Sequence, residues 1–163
     1  TYMVNPGYAE EVMTFAKNNP EIKIKAFWDK KGAAVSEHPL PNLSFHLVND
    51  QAFLEAMAAC KGLICTAGFE SVCEAMYLGK PVVMVPVAGQ YEQACNALDG
   101  EQSGAGKKAD FFDFELLTSL SLPEASRTKG YQEWAESWPS EFRKLVYKQE
   151  QITQKDSPEL VLS

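Results

Sequence analysis

The chain has 163 residues, of which 45% are hydrophobic, and it carries a formal net charge of −7 at pH 7. This length and composition predict a single folded domain with a packed core, and they exclude a disordered chain. The acidic balance disfavours nucleic acid or an anionic membrane as a partner, and the sequence contains neither a signal peptide nor an apolar run of the roughly 20 residues that a membrane span needs.

The first third of the chain alternates short apolar runs with turn signals, a pattern typical of an α/β fold. In chain order the predicted elements are a strand at 2–4, a turn at 5–7, a helix at 8–17, a strand at 22–28, a loop at 29–41, a strand at 44–48 and a helix at 51–60. Asn49 and Asp50 are candidate N-cap residues of the last of these helices. The loop is predicted from its two prolines and the Lys30-Lys31-Gly32 tip.

A strand–helix–strand unit follows in the middle of the chain. Its predicted elements are a strand at 62–65, a turn at 67–68, a helix that begins at 69 and ends at Gly79, a strand at 82–87, and a further helix at 90–102. Two parallel strands joined by a helix form a right-handed βαβ unit. In open α/β sheets, ligands bind at the carboxyl ends of such strands.

Gly68 lies at one of these strand ends and opens a helix. Backbone N–H groups and the positive end of the helix dipole converge there, so a phosphate is the natural ligand. Glu74 projects beside this position, where a carboxylate can accept two hydrogen bonds from a ribose diol, and Glu92 and Gln93 can hold sugar hydroxyls in the same crevice. The alternative is an ordinary turn, with solvated polar residues in the first turns of both helices.

The run that contains TAGFES, SVCEAMYLGKP, VVMVPV and EQACNA resembles the C-terminal, donor-binding half of GT-B glycosyltransferases. It is closest in style to the UDP-sugar transferases, which include the lipid II GlcNAc transferase and the UDP-glycosyltransferases. The resemblance implies an α/β fold with a Rossmann-like open parallel sheet and helices on both faces, which is one half of a GT-B fold.

The resemblance also implies roles for individual residues. The assigned positions are Ala67, Gly68, Phe69 and Gly7 for the donor diphosphate, Glu74 for the ribose, Leu47 and Val48 for the base, and Gln90, Glu92 and Gln93 for the transferred sugar. Where the family carries a glycine-rich loop after its first strand, NPGY has one glycine. A plain turn is therefore an equal interpretation of Asn5, Gly7 and Tyr8.

The rest of the chain extends the sheet and then becomes helical. Residues 105–109 predict a short edge strand, and Asp113 is expected to cap a short helix that Pro123 ends. Aromatic residues after 127 predict a packed helix and a second helix that begins at Pro139. We therefore expect an α/β core at 1–125 and a C-terminal helical segment at 126–163 with a loose tail from about 155.

The cysteines and the start of the chain bear on location and completeness. Cys60, Cys65, Cys73 and Cys95 form no CxxC pair, so we expect reduced thiols in a cytoplasmic protein, with the inner face of the membrane as a further position reached through a missing half. The chain starts inside a predicted strand, so we expect a fragment that lacks an N-terminal acceptor domain of the same polypeptide.

The implied function is donor binding in an inverting glycosyltransferase that moves a sugar from a nucleotide diphosphate sugar, with UDP favoured, to an acceptor hydroxyl. No cofactor and no metal are expected, and the general base is expected in the missing domain, so no catalytic residue is assigned here. Three alternatives stay open: a non-hydrolysing UDP-GlcNAc epimerase, a donor-domain subunit of a two-subunit transferase, and a non-catalytic nucleotide-binding domain.

Overall fold

The computed structural model of the chain describes the backbone of residues 2–3 and 6–155 and the side chains of residues 6–147. In chain order the elements are β1 Tyr2–Met3, a 3₁₀ turn Pro6–Tyr8, α1 Ala9–Asn18, β2 Ile24–Trp28, β3 Ser36–Leu40, β4 Leu43–Leu47, α2 Asp50–Ala59, β5 Leu63–Thr66, α3 Phe69–Tyr77, β6 Val82–Val85, α4 Tyr91–Ser103, β7 Gly106–Lys108, α5 Phe114–Ser119 and α6 Ala125–Lys155. The predictions for Val4, Asn5 and the tail beyond residue 155 lie outside the described residues.

The strands form one sheet in the order β3-β4-β2-β1-β5-β6-β7. The neighbouring pairs are parallel except for β3 with β4. Among the parallel strands, the chain moves outward from β1 in one direction and then continues from β5 in the other, which is the doubly wound order of Rossmann folds. The predicted fold class, an open parallel sheet with helices on both faces, is confirmed.

Two hydrophobic clusters cover the two faces of the sheet. One lies beneath α1 and α5 and the other beneath α2, α3 and α4. Their helical members include Val12 and Phe114 on the first face, and Phe53, Val72 and Ala97 on the second. Consecutive residues of β5 alternate between the two clusters, as expected for a strand that is covered on both faces.

The predicted loop at 29–41 contains a strand, so that prediction is wrong. β3 pairs antiparallel with β4 at the edge of the sheet, and a β-bulge or irregularity interrupts their register. Because an edge strand buries little side-chain surface, its sequence lacks the apolar alternation of inner strands, and Pro39 is tolerated there. The Asn42 side chain fixes the turn that follows by donating to the carbonyl oxygen of Ala16 at 2.9 Å.

The C-terminal segment forms one helix, α6, with Pro139 inside it, so the prediction of a second helix that begins at Pro139 is wrong. The chain divides into two compact units, residues 1–128 and 129–163. In the second unit Trp134, Trp138 and Phe142 are 67%, 64% and 58% exposed, which also contradicts the predicted packed helix. In the described part of the chain, no helix combines the length and apolar character that crossing a bilayer requires.

Candidate functional site

The switch point of the sheet lies between β1 and β5, where Tyr2 pairs with Cys65. After β1 the chain passes through the 3₁₀ turn to α1 on one face, whereas after β5 it enters α3 on the other face. In open α/β sheets, connections that diverge in this way leave a crevice at the carboxyl ends of the two strands, which is the usual ligand position. Gly7 and Gly68, two of the predicted diphosphate residues, therefore follow the two strands of the switch point.

The fold itself gives no reason for glycine at position 68. Its φ of −68° and ψ of 136° are accessible to any residue. An added Cβ would meet nothing closer than the Thr66 carbonyl oxygen, at 3.9 Å. The missing side chain thus leaves open space at the start of α3, as close approach of a phosphate to backbone requires.

The backbone at this turn shows which amides can reach a ligand. The Gly68 amide donates to the Thr66 carbonyl oxygen at 2.6 Å, so it is engaged within the turn. No side chain caps α3, and the first amides of a helix have no carbonyl partner within the helix. A diphosphate at the crevice would therefore be held by the amides of Phe69 and Glu70, while Gly68 supplies the space.

Two side chains of α4 form hydrogen bonds with the turns that follow β5 and β6. Asn96 donates from Nδ2 to the Ala67 carbonyl oxygen at 3.1 Å, and Gln93 Oε1 accepts a hydrogen bond from the Val87 amide at 2.9 Å. Gln93 and Asn96 are three residues apart, so they lie on one side of the helix. The sequence predicted a sugar contact for Gln93 but no role for Asn96, although that three-residue spacing was visible.

A tight turn presents the other predicted sugar residues. The Gln90 amide donates to the Val87 carbonyl oxygen at 3.0 Å, and Gly89 has a φ of +82°. These features define a type II turn, in which the third residue needs the left-handed region and is usually glycine. Gln90 and Glu92 are exposed at the start of α4, so their polar groups remain accessible to a ligand.

Glu74 lies one helical turn from Glu70 on α3 and is partly buried. Burial raises the pKa of its carboxyl group, and the negative charges of Glu70 and Asp50 raise it further. Asp50 is the first residue of α2, directly after the loop that follows β4. Asp50 is thus near enough to Glu74 to affect its carboxyl group electrostatically.

The predicted base residues, Leu47 and Val48, end β4 and begin the next loop. Their amides donate to the carbonyl oxygens of Val35 and Trp28, each at 3.1 Å. A bound base would therefore meet the Val48 side chain, which is 37% exposed, rather than these amides. Two strands separate β4 from β5, so this position lies about 14 Å along the edge from the diphosphate position at ~4.8 Å per strand.

The first turn holds Gly7 and the Tyr8 ring. Gly7 is exposed within the 3₁₀ turn. The Tyr8 ring stacks on Phe112, with ring centroids 4.7 Å apart, and belongs to the packing of the first cluster. Glu11 of α1 accepts a hydrogen bond from the Phe112 amide at 2.8 Å, which fixes the same contact.

Among the described residues, no group of three or more histidine, cysteine, aspartate or glutamate side chains is arranged to hold a metal ion. Cys60, Cys73 and Cys95 are half-buried and Cys65 is buried, and all four are free thiols. The expectation of a reaction without metal stays a prediction.

Comparison with known proteins gives one family and one fold. A family described as "Glycosyl transferase family 1" matches residues 2–120. A crystal structure of "the Glycotransferase of kitacinnamycin" matches with a TM-score of 0.60 and 18% identity, over 81% of this chain and 38% of that chain. At that identity the structural match shows a shared fold, and this chain spans well under half the length of its solved neighbour. No curated protein matches the sequence.

Proposed function

Because the chain belongs to glycosyl transferase family 1, we propose that it is the donor-binding domain of a GT-B glycosyltransferase that uses a UDP-sugar. The observation that carries this proposal is the pair of glycine-containing turns that follow the two strands of the switch point. Beside Gly68, one of the two glycines, there is room for a side chain that the fold does not fill. An N-terminal acceptor domain of the same enzyme would close the crevice from the other side.

The proposed reaction is a direct displacement. An acceptor hydroxyl attacks the anomeric carbon, the bond from that carbon to the diphosphate oxygen breaks, and the hydroxyl proton passes to a base outside this chain. Inversion at the anomeric carbon follows from a single displacement. Negative charge grows on the leaving diphosphate in the transition state, and fixed amide dipoles stabilise such charge effectively in a closed crevice.

The α3 N-terminus supplies those dipoles. The amides of Phe69 and Glu70 face the diphosphate, and the helix behind them adds its positive end. This arrangement can neutralise the leaving group without a metal ion, and we include the absence of a metal in the proposal. The interaction between these amides and the diphosphate oxygens is strongest when the diphosphate leaves. We therefore expect the amides to raise kcat as well as donor affinity.

The nucleoside lies along the strand ends in this proposal. Glu74 accepts hydrogen bonds from both ribose hydroxyls, and the base lies against Val48. Gln90 and Glu92 contact the transferred sugar, while Gln93 uses one atom to hold the Val87 amide and offers its NH₂ group to the sugar. The proximity of Asp50 to Glu74 supports the placement of ribose and base side by side.

A cytoplasmic location is part of the same proposal. The four free thiols are compatible with a reducing compartment. Cell fractionation of the native protein tests this point, and recovery with secreted or periplasmic proteins would contradict it.

A titration with UDP, followed by backbone amide shifts, tests the donor assignment. UDP should shift the amides of Phe69 and Glu70 first, together with signals of Glu74 and residues 90–93. UMP, which lacks the second phosphate, should bind more weakly and leave the Phe69 amide nearly unchanged. Shifts confined to other parts of the chain, or equal binding of UMP and UDP, would overturn the proposal.

A further inference from the structure

His38 of β3 and His46 of β4 lie next to each other at the edge of the sheet, and we call them the histidine pair. They are the two histidines of the chain. Their ring centroids are 6.2 Å apart in an edge-on contact, and His46 also contacts the Phe27 ring of β2, at 5.4 Å. The histidine pair thus joins the antiparallel edge strand to the parallel part of the sheet.

Burial of side chains contributes little to holding β3 on the sheet. Its five residues are exposed or half-buried, and among them Leu40 alone packs against a hydrophobic cluster. The register with β4 is interrupted between Glu37 and Leu40. Just before β3, the Val35 carbonyl oxygen accepts a hydrogen bond from the Leu47 amide at 3.1 Å. Such an edge strand depends on its ladder hydrogen bonds and on side-chain contacts with its one neighbour.

The surroundings of His46 favour its uncharged form. Burial lowers the pKa of His46 below its ordinary 6.5, and the charges of Lys25 on β2 and of His38 lower it further. Neither member of the histidine pair forms an ion pair with another of the described residues. The Ser44 hydroxyl lies 2.9 Å from Nε2 of His46, and because a hydroxyl can donate or accept, it is compatible with either protonation state.

The carboxylates on the neighbouring elements are poorly placed to offset these positive charges. Glu37 of β3 is in register with Phe45 of the first cluster, so it lies on the opposite face of the sheet from His46. On α2, which covers the face of His46, Asp50 and Glu55 are exposed, where water and salt screen their charges. Protonation of the histidine pair therefore adds positive charge to an edge that already carries the charge of β2.

We propose that the histidine pair makes the β3 edge a pH-sensitive element: at neutral pH the uncharged rings hold β3 on β4, and protonation in mildly acidic solution releases it. A histidine whose pKa is lowered by folding contributes stability that is complete above its ordinary 6.5 and is lost as pH falls through the folded-state value. Release of β3 also frees the Leu47 amide from the Val35 carbonyl. Leu47 and Val48 are the proposed base residues, so we expect donor affinity to fall as well, a consequence that rests on the proposed function.

Hydrogen exchange of two neighbouring amides in the full chain tests the inference. The Leu47 amide is bonded to Val35 at the β3 edge, whereas the Val48 amide is bonded to Trp28 of β2, each at 3.1 Å. Between about pH 7.5 and pH 5.5, the protection factor of Leu47 should fall about 2- to 5-fold relative to that of Val48, the scale of an interaction between partly exposed charges. Equal protection of Leu47 at both pH values, or an equal loss at Val48, would overturn the inference.

Three substitutions show whether the histidine pair causes the loss. His46→Gln removes the titrating ring and should make the Leu47 protection factor independent of pH over this range. Lys25→Gln keeps both histidines and removes one positive charge, so the pKa of His46, followed by its ring NMR signals, should rise and the Leu47 loss should shrink. Lys108→Gln, an exposed change on β7 at the other edge of the sheet, is the matched control. A parent-like loss in His46→Gln, or an unchanged His46 pKa in Lys25→Gln, would contradict the proposal.

UDP titrations at the two pH values separate this inference from the proposed function. UDP itself takes up a proton as pH falls, so both proteins should lose affinity, and the parent should lose more than His46→Gln. If UDP binds but Leu47 is equally protected at both pH values, the pH-sensitive edge is wrong and the donor proposal stands. If Leu47 protection falls as expected but UDP does not bind, the pH-sensitive edge stands and the transferase proposal falls.

Discussion

Asn96 donates a hydrogen bond from Nδ2 to the carbonyl oxygen of Ala67 at 3.1 Å, and it thereby ties α4 to the turn that begins α3. The same helix holds the Val87 amide through Gln93. One helix thus sets the relative position of two turns that lie on neighbouring strands. Binding of a nucleotide sugar that contacts both turns would depend on this spacing. Asn96 would affect it indirectly, because its side-chain NH₂ group binds the backbone and not the ligand.

Asn96→Ala should loosen the turn at Ala67 and weaken donor binding without removing any proposed ligand contact. Loss of one half-buried hydrogen bond costs about 1 kcal/mol of folding free energy, and a similar loss in binding is roughly 5-fold in Kd. UDP titration and thermal unfolding measure the two effects. Gln102→Ala, an exposed change on the same helix, is the control, and equal behaviour of both variants would show that the Asn96 bond does not position the turn.

Gly68→Val should separate binding from stability. The backbone at 68 accepts any residue and the space beside it is open, so we expect a stability loss of no more than about 1 kcal/mol, from the poorer N-cap. The isopropyl group would occupy the space proposed for the diphosphate, and UDP affinity should fall at least 10-fold, or about 1.4 kcal/mol.

Gly106→Ala gives the opposite pattern and serves as the control for Gly68→Val. An added Cβ at position 106 would collide with the Val82 carbonyl of the neighbouring strand, so the cost should appear as unfolding at lower temperature. A Gly68→Val protein that binds UDP as tightly as its parent would show that no phosphate approaches that backbone.

The sequence predicted most of the sheet because its inner strands carry a strong local signal. Residues of β6 are buried on both faces, and an uninterrupted valine-rich run reveals such a strand. The signals for helix starts are also local. Asn49 and Asp113, which precede apolar runs, were predicted to be N-caps, and they accept hydrogen bonds from the amides of Ala52 and Leu116, respectively.

Features that depend on distant residues were missed or wrongly predicted. β3 is an edge strand with little buried surface, and Pro139 sits inside a helix that local rules would end. Asn96 and Ala67 are 29 residues apart, so nothing local indicates their bond. The hydrogen bond from the Gly68 amide to the Thr66 carbonyl oxygen also depends on backbone geometry that the sequence does not reveal. Because that amide is engaged, the expected phosphate contacts move to the amides of Phe69 and Glu70.

Glu74→Gln should stabilise the free protein at neutral pH. Burial and two neighbouring acids raise the pKa of Glu74 above its ordinary 4.5, so its charged form is disfavoured in the folded state. The resulting loss of stability is absent below about pH 4.5, grows as pH rises, and is complete above the pKa of the folded state. Melting temperatures of the two proteins should therefore differ at pH 7 and converge below pH 4.5; a constant difference would contradict this account.

The same substitution should weaken donor binding, because a carboxylate offers one charged oxygen to each ribose hydroxyl, whereas glutamine has a single, uncharged acceptor oxygen. A lost hydrogen bond to a charged group is worth about 1.5–3 kcal/mol, or roughly 10-fold or more in Kd. Because UDP itself takes up a proton as pH falls, both proteins should lose affinity at low pH, and the parent should lose more than Glu74→Gln because Glu74 is protonated as well. Glu55→Gln on α2 is the control, and a Glu74→Gln protein with unchanged UDP affinity would remove Glu74 from the ribose site.

Cys65 should be the last of the four thiols to react with a thiol reagent. Its side chain is fully buried between β5 and the helices of the second cluster, and burial raises its pKa to about 12. The thiolate is the reactive form, so almost none is present at pH 8. Cys60, Cys73 and Cys95 are half-buried and should react in the native protein, with Cys65 following when denaturant unfolds it. Mass spectrometry of the labelled peptides assigns each site, and early labelling of Cys65 would mean that β5 opens locally under native conditions.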